Sequence, residues 1–194
     1  MADLTDIITS KVRVKILKLF FSDITEIYHV RGIVREVKEE INAVRRELKK
    51  MEADGILKSE GRGNRLYYFP REDYPFFGEL ISISAKVTGL GGELRALKDK
   101  IGHINYLMFS GKFVRRKPKK KDDDIDILVI GEVVLSELAS IIRKEESKRG
   151  KEINYTVMSK DEFDFRKKRR DPFLQSILLA SRVMIIGDQE GLVG

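Results

Sequence analysis

Apolar side chains recur every three or four positions in three stretches near the start of the chain, at residues 4–21, 28–38 and 42–54. Positions three and four apart lie on one face of a helix, so each stretch predicts an amphipathic helix with one buried side. Polar residues separate the stretches and indicate short turns between the helices. The pattern therefore predicts a small group of three helices.

The third predicted helix carries the most complete set of signals. Val44, Leu48 and Met51 form its apolar stripe. Asn42 is expected to cap the first turn, because its side-chain oxygen accepts hydrogen bonds from free backbone N–H groups. Gly55 follows the last turn, where a residue in the left-handed conformation commonly ends a helix. We expect this helix to run from about Asn42 to residue 54.

A β-hairpin is predicted directly after the third helix. Residues 56–60 and 65–69 have the pattern of short strands, and the segment 61–64 between them holds the glycine and asparagine residues of a tight turn. Tyr67 and Tyr68 alternate along the second strand, so we expect one in the core and the other at the surface. The element order is then three helices followed by a hairpin.

The segments SKVRVKILKLFF, NAVRRELKKMEADGIL and GRGNRLYYF resemble the winged helix-turn-helix family of bacterial and archaeal transcription regulators. The resemblance implies a cytoplasmic DNA-binding regulator whose third helix enters the major groove of double-stranded DNA. Lysine and arginine would supply affinity through counterion release, and arginine and asparagine match base edges. The candidate DNA-binding residues are Asn42, Arg45, Arg46, Lys49, Arg62 and Arg65.

Two other interpretations of this cationic helix face stay open. A charged face on a surface helix is commonly just solvated. A winged helix also serves as a protein-binding or dimerisation module, which the near-neutral charge of this half allows. Residues 1–80 carry a net charge of +1, so the case for DNA binding depends on where the charges lie.

An apolar connector is predicted next. Residues 74–87 read as a helix that either packs against a copy of itself or fills the core between two domains. Pairing would let a DNA-binding module read two half-sites, so a homodimer is our working hypothesis. Gly89, Gly91 and Gly92 follow, and we expect a flexible joint there.

The second half alternates between strand and helix patterns. Four stretches predict strands: 104–109, 125–130, 152–158 and 182–187. The clearest helix lies at residues 135–149. We therefore predict an α+β chain, with a winged helix-turn-helix domain of three helices and a hairpin before a small mixed α/β domain. The expected divisions are a winged-helix domain at 1–72, a connecting helix and glycine-rich joint at 73–92, and the second domain at 93–194.

This second half contains a strand, a loop with Ser110-Gly111, an Asp-Ile-Asp strand, a helix and a further strand. The order resembles the minimal nucleotidyltransferase domain, in which a Gly-Ser turn meets nucleotide phosphates and paired carboxylates hold Mg²⁺. The resemblance assigns nucleotide binding to Ser110, Gly111 and Lys112. It assigns metal binding to Asp124 and Asp126, which would be the catalytic pair of an active enzyme.

The sequence departs from that family pattern in two places. Ser110-Gly111 reverses the usual order, and the third acidic position falls on the neutral Asn154, although Glu152 has the same strand parity. Three interpretations of this domain follow. It is a Mg²⁺-dependent transferase acting on protein or RNA (including an antitoxin-like protein), or a sensor that binds a nucleotide or partner without catalysis. In the third, its aspartates only neutralise the charge of the neighbouring basic loop. We favour a non-catalytic domain.

Composition adds an expected partner and compartment. The 194 residues include 38 basic and 31 acidic side chains, and the formal net charge of +7 favours an anionic partner such as nucleic acid. The absence of cysteine excludes disulfides. No apolar stretch approaches the roughly 20 residues of a membrane span. We expect a cytoplasmic protein with no signal peptide and no membrane association.

Overall fold

Helices and two small β-sheets make up the chain, which confirms the α+β prediction. The computed structural model describes residues 3–118 and 125–194. Contacts divide the chain into two units, Met1–Val87 and Thr88–Gly194, and each unit is described by itself. Within the described ranges, no helix combines the length and the apolar character needed to cross a membrane.

The first unit contains three helices, a hairpin and a fourth helix. Its elements are a 3-10 turn at Leu4–Asp6, α1 at Lys11–Ser22, β1 at Tyr28–His29, α2 at Val30–Val37, α3 at Ile41–Ala53, β2 at Leu57–Arg62, β3 at Arg65–Pro70 and α4 at Phe77–Val87. β1 and β2 both pair with β3 in antiparallel orientation. The short strand β1 was not predicted, because its partner is distant in the sequence.

Helix α3 buries its predicted apolar stripe completely, but its start differs from the prediction. Glu40, not Asn42, is the N-cap: its carboxylate accepts hydrogen bonds from the backbone N–H groups of Asn42 and Ala43, at 2.8 and 2.9 Å. These two bonds, of which the one from Asn42 has the larger effect, lower the pKa of the Glu40 carboxyl below its ordinary value. The cap lies earlier than expected, so the helix begins at Ile41.

Gly55 ends α3 as predicted. Its φ of +76° lies in the left-handed region, which favours glycine. The backbone N–H of Ile56 donates to the carbonyl of Met51 at 2.9 Å, and that of Gly55 donates to the carbonyl of Glu52 at 3.0 Å. This pair of bonds is a Schellman motif, which satisfies two carbonyls of the last turn. Ile56 is buried, so the motif also turns the chain into the core.

The hairpin has a two-residue connection, Gly63-Asn64, between the paired residues Arg62 and Arg65, whereas the prediction assigned all of segment 61–64 to the turn. Gly63 has a φ of +59°, and a positive φ at the first loop residue suits the twist of the two strands. As expected from their alternation, Tyr68 is buried in the core and its neighbour Tyr67 faces outward, where it is half-buried.

Eleven elements of the second unit lie within the described residues. They are α5 at Gly89–Ala96, α6 at Lys98–Ile101, β4 at Gly102–Ser110, α7 at Gly111–Val114, β5 at Ile127–Val133, α8 at Leu135–Arg149, β6 at Tyr155–Met158, α9 at Lys160–Lys168, α10 at Pro172–Leu179, β7 at Arg182–Ile186 and α11 at Gln189–Val193. The sheet order is β6-β5-β4-β7. β5 and β6 are parallel and the other pairs are antiparallel. The central strand β5 begins with four fully buried apolar residues, as expected for a strand covered on both faces.

The predicted connector at residues 73–92 is divided between the two units. Helix α4 belongs to the first unit, where the ring of Phe77 packs edge-on against that of Phe21 at 5.8 Å. The expected flexible joint is instead the start of helix α5, in which Gly91 and Gly92 are buried. Glycine in a helix costs up to about 1 kcal/mol relative to alanine, and burial of Leu90 and Leu94 offsets that cost.

Candidate functional site

The basic side chains of α1 are largely neutralised by acidic partners. Lys15 pairs with Glu39 at 2.5 Å, and Lys18 pairs with Asp3 at 2.6 Å. The hydrogen bond from Lys18 is the main cause of the lowered pKa of the Asp3 carboxyl. This helix therefore offers little free positive charge to an external ligand.

A third ion pair joins α1 to α3. The guanidinium Nε of Arg13 lies 2.8 Å from a carboxylate oxygen of Glu47, whose other oxygen accepts from the Ser10 hydroxyl at 2.8 Å. Burial alone would raise the pKa of the Glu47 carboxyl, but the hydrogen bonds from Arg13 and Ser10 lower it. The single acidic residue in the middle of α3 thus serves to hold two helices together.

The opposite situation holds where α2, α3 and the hairpin meet. They enclose a groove of about 690 Å³ whose lining includes the cations Arg31, Arg45, Lys49 and Arg65, and we call it the cationic groove. All four side chains are exposed. In the part of the chain that the structure describes, none of the four forms an ion pair or a side-chain hydrogen bond.

The rest of the groove lining is neutral. It consists of His29, Val30, Asn64, Leu66 and Tyr68. With no carboxylate among the nine lining residues, the four cations share one concave surface without an opposing charge. Such a surface concentrates anions and matches the spaced negative charges of a phosphate backbone.

His29 fixes one wall of the groove. Its Nδ1 accepts a hydrogen bond from the backbone N–H of Gly32 at 2.8 Å and so caps α2. The ring also packs edge-on against Tyr67 at 5.7 Å, across the β1–β3 pairing. Because Nδ1 is the acceptor, the neutral ring carries its proton on Nε2. The first turn of α2, which carries Arg31, is therefore tied to the hairpin.

The structure brings together three of the six residues predicted to bind DNA. Arg45, Lys49 and Arg65 line the cationic groove. Asn42 and Arg46 are exposed on α3 but lie outside the groove lining, and the charge of Arg46 contributes to the lowered pKa of the Glu40 carboxyl.

Arg62 and Arg31 show where sequence reasoning fell short. Arg62 pairs with Glu60 at 3.3 Å and lies 5.5 Å from the ring centre of Tyr67, so its charge is partly engaged within the hairpin. The predicted set omits Arg31, because the hydrophobic pattern of the second helix identifies only its inward apolar residues. Its place at the start of α2 becomes informative only once β1 pairs with the hairpin.

In the second unit, Ser110 and Gly111 use their hydrogen-bonding groups within the fold. The Ser110 hydroxyl accepts from the backbone N–H of Phe113 at 3.2 Å, and the N–H of Gly111 donates to the carbonyl of Ser181 at 2.6 Å. A Cβ on Gly111 would lie 2.0 Å from the Ser181 hydroxyl. Two of the N–H groups in the predicted phosphate loop are therefore engaged by the chain itself.

Asp126 has a comparable role at the edge of the same sheet. It is buried, and its carboxylate accepts from the backbone N–H of Asn154 at 2.9 Å. Its own backbone N–H donates to the Asn154 carbonyl at 2.7 Å, and its carbonyl accepts from the N–H of Ser110 at 2.8 Å. Asp126 thereby joins the chain at the ends of three strands, β4, β5 and β6. We call Ser110, Gly111, Asp126, Asn154 and Ser181 the Ser110 cluster.

The predicted magnesium site is not assembled by the described residues alone. Asp124 lies outside them, the neutral Asn154 stands at the expected third acidic position, and Glu152 is exposed. No group of three histidine or acidic side chains in the described ranges is placed to hold a metal ion. We therefore derive no chemical step through Mg²⁺.

The three residues predicted to bind a nucleotide do share one small cavity. Ser110, Gly111 and Lys112 line a space of about 120 Å³, together with the hydroxyl-bearing Ser176 and Ser181. Its other lining residues are apolar or aliphatic: Met108, Ile125, Phe173, Ile177 and Ala180. The cavity is small beside the usual 300–1,000 Å³ of a site for a drug-sized ligand.

The chain matches no protein-family model, and comparisons with curated proteins and with solved structures give no significant match.

Proposed function

We propose that this protein is a DNA-binding transcription regulator whose first unit is a winged helix-turn-helix module. The cationic groove carries the proposal, because it gathers four exposed basic side chains without an acidic neighbour in its lining. Release of counterions from DNA favours binding for each phosphate that such a side chain neutralises. Arg13, Lys15 and Lys18 of α1 are paired with acids, whereas the four cations of the groove form no ion pair in the described chain.

The geometry suits a division of labour on double-stranded DNA. Arg45 and Lys49 are four residues apart on α3 and therefore lie on one helix face, as needed to enter the major groove together. In this proposal they contact base edges or nearby phosphates, with Asn42 and Arg46 at the same end of the helix. Arg31 and Arg65 flank them on α2 and the hairpin and contact the backbone.

The decisive experiment measures DNA affinity against salt concentration for the double variant Arg45→Ala/Lys49→Ala. We expect weaker binding to a labelled duplex and a salt dependence of log K reduced by about 2, because two phosphate-neutralising charges are lost. The matched control is Arg143→Ala/Lys100→Ala, which removes two exposed charges from the second unit. Unchanged affinity in the groove variant, or an equal loss in the control, would contradict the proposal.

We assign the second unit a non-catalytic role, binding a nucleotide or a partner that biases the first unit. In support, the Ser110 cluster uses its N–H groups and the Asp126 carboxylate to join its own strands. The alternative is a Mg²⁺-dependent nucleotidyltransferase, which the shared cavity of Ser110, Gly111 and Lys112 favours. Incubation with labelled nucleotide and Mg²⁺ should give no transfer; transfer that Asp124→Ala abolishes would establish the enzyme instead.

We include homodimer formation in the proposal because the first unit has a second, apolar groove. This groove of about 680 Å³ is lined by residues 7–10, by residues of α1, α3 and α4, and by Phe76, which directly precedes α4 and is 60% exposed. Lys50 and Glu79 lie on the same lining and carry opposite charges. In a symmetric dimer the same surface meets itself, so a surface that carries both charges supplies each copy with a cation and an anion for the other.

Light scattering tests the dimer directly. We expect the full chain to have twice its monomer mass, and Phe76→Glu to shift it to the monomer by placing a charge in the apolar surface. The conservative Phe76→Leu should remain dimeric. A wild-type chain that stays monomeric at every concentration would remove the dimer from the proposal but leave DNA binding untouched.

A further inference from the structure

A basic and aromatic surface lies at the C-terminal end of α9, in the second unit. It consists of Phe165 and Lys168 in the last turn, the C-cap residue Arg169, and Arg170, which directly follows the cap, and we call it the Phe165 patch. Phe165 is 57% exposed, which is unusual for a large apolar ring in a helix that buries Phe163. Lys168 and Arg169 are three and four residues after Phe165, so they share its side of the helix end.

The positive charge of this patch is not balanced by the acidic residues of its own helix. Asp164 pairs with Lys160 at 2.5 Å, and Glu162 pairs with Arg166 at 2.8 Å. Lys168 and Arg170 are exposed, and neither side chain forms an ion pair or hydrogen bond within the described part of the chain. Cations at a helix end complement its carbonyl groups. That effect explains the charges but not the exposed ring among them.

The geometry of the ring adds the second observation. The Arg169 guanidinium lies 4.5 Å from the centre of the Phe165 ring and covers one of its faces. Because more than half of the side chain remains exposed, a flat ligand has access to the ring. A nucleobase stacks on aromatic faces and on arginine planes, and neighbouring cations neutralise its phosphates. In a duplex the base faces are covered by their neighbours, so this chemistry selects single strands.

We propose that the Phe165 patch binds single-stranded nucleic acid, with a base stacked on Phe165 and the adjacent phosphates held by Lys168 and Arg170. This site is separate from the cationic groove, since the two belong to different units. It gives the second unit a nucleic-acid contact of its own, and it does not depend on the DNA-binding proposal for the first unit.

A tryptophan reporter tests the stacking contact, because the chain contains no tryptophan. In Phe165→Trp, an unlabelled oligothymidine or oligouridine should quench the fluorescence, and a duplex should quench it far less. The matched control is Tyr155→Trp, which reports from another exposed aromatic position of the same unit and should not respond. Absence of quenching by both oligonucleotides, or equal quenching in the control, would overturn the proposal. A preference between the two strands identifies DNA or RNA as the ligand.

Salt titrations separate stacking from charge. Phe165→Ala should weaken single-strand binding about fivefold or more without changing the salt dependence. Phe165→Leu should lose nearly as much affinity, because it keeps the apolar bulk but not the aromatic ring. Lys168→Ala/Arg170→Ala should reduce the slope of log K against log salt by about 1.4. The control Arg143→Ala/Lys100→Ala, which removes two exposed charges elsewhere in the second unit, should leave both quantities unchanged. The Phe165 variants test single-strand binding and the groove variant tests duplex binding, so failure of one proposal is distinguished from failure of the other. A Phe165→Ala variant that binds single strands as tightly as the wild type would contradict the stacking contact.

Discussion

In the cationic groove, four basic side chains reach solvent without an ion pair in the described chain, whereas the Ser110 cluster joins its polar groups to one another. Both regions contain residues that the sequence singles out. Of the two, the first presents several exposed charges that form no ion pair in the described chain. In the second, the Ser110 hydroxyl, the Gly111 N–H and the Asp126 carboxylate each have a partner within the unit.

This difference shows why total charge is a poor guide to a binding surface. Residues 81–194 carry a net charge of +6 and residues 1–80 only +1. In the first unit, however, acids neutralise the cations of α1 and leave those of the groove unopposed. The local arrangement of partners therefore decides where an anion binds, and the sum of charges does not.

The largest effect is expected from a substitution at Gly111 in the Ser110 cluster, where contacts within the unit predict a loss of folding stability. Gly111→Ala places a Cβ 2.0 Å from the Ser181 hydroxyl and 3.0 Å from the Ser181 carbonyl oxygen. Overpacking of this kind costs about 1–3 kcal/mol, which urea denaturation measures as a lower free energy of unfolding. The double variant Ser110→Gly/Gly111→Ser, which reverses the order of the two residues, should be at least as costly, because the serine cap of α7 is lost as well.

Two further variants isolate the cause at Gly111. Gly61→Ala is the matched control, since a Cβ there meets nothing within 4 Å, and we expect a change below about 0.5 kcal/mol. Ser181→Gly should recover part of the stability lost in Gly111→Ala, because the nearest clashing atom is removed. A Gly111→Ala protein as stable as the wild type would show that the cluster is looser than the structure indicates.

A smaller loss of folding stability is expected when the ion pair between α1 and α3 is weakened. Glu47→Gln keeps the size of the side chain but removes the charge that accepts from Arg13 and Ser10, and the expected cost is about 1–2 kcal/mol. Glu47 lies outside the cationic groove, so duplex affinity should stay unchanged. Lower affinity at unchanged stability would mean that this acid takes part in the binding surface.

The same pair predicts a pH dependence of stability. The pKa of the Glu47 carboxyl is lower in the folded chain than its ordinary value, so the unfolded chain takes up the proton more readily. The stabilisation is complete above the ordinary glutamate pKa of about 4.3 and is lost as pH falls through the lowered folded pKa. Unfolding free energies measured from neutral to acidic pH should therefore fall less in Glu47→Gln than in the wild type.

The sequence predicted most of the first unit, because its signals are local. The stripe of α3, the left-handed Gly55 and the Gly63-Asn64 turn are each determined by a few neighbouring residues. The predicted first helix began too early, since Ser10 caps α1 by accepting from the N–H of Arg13. That signal was readable in the sequence, whereas the β1 pairing, which depends on distant residues, was not.

The sequence predicted in part which residues share one surface, for the same reason, whereas DNA binding by that surface stays a prediction. Arg45 and Lys49 follow from helical spacing, but the contribution of Arg31 required the three-dimensional contact between α2 and the hairpin. In the second unit, the sequence located Ser110 and Gly111 in one cavity, but only the structure showed that neighbours engage their groups. Spacing along the chain identifies residue types, and hydrogen-bond partners decide how those residues are used.

The smallest expected change in duplex binding concerns the hairpin, where one arginine forms an ion pair and another forms none in the described chain. Arg65 lines the groove without an ion pair in the described chain, whereas Arg62 is already paired with Glu60 and lies over Tyr67. Arg65→Ala should reduce the salt dependence of duplex binding by about 1, as loss of one phosphate contact predicts. Arg62→Ala should change it less, because that charge is partly neutralised before DNA arrives. Glu60→Gln, which frees Arg62, should raise duplex affinity slightly at low salt. Equal losses in the two arginine variants would show that pairing within the hairpin does not decide which cations bind DNA.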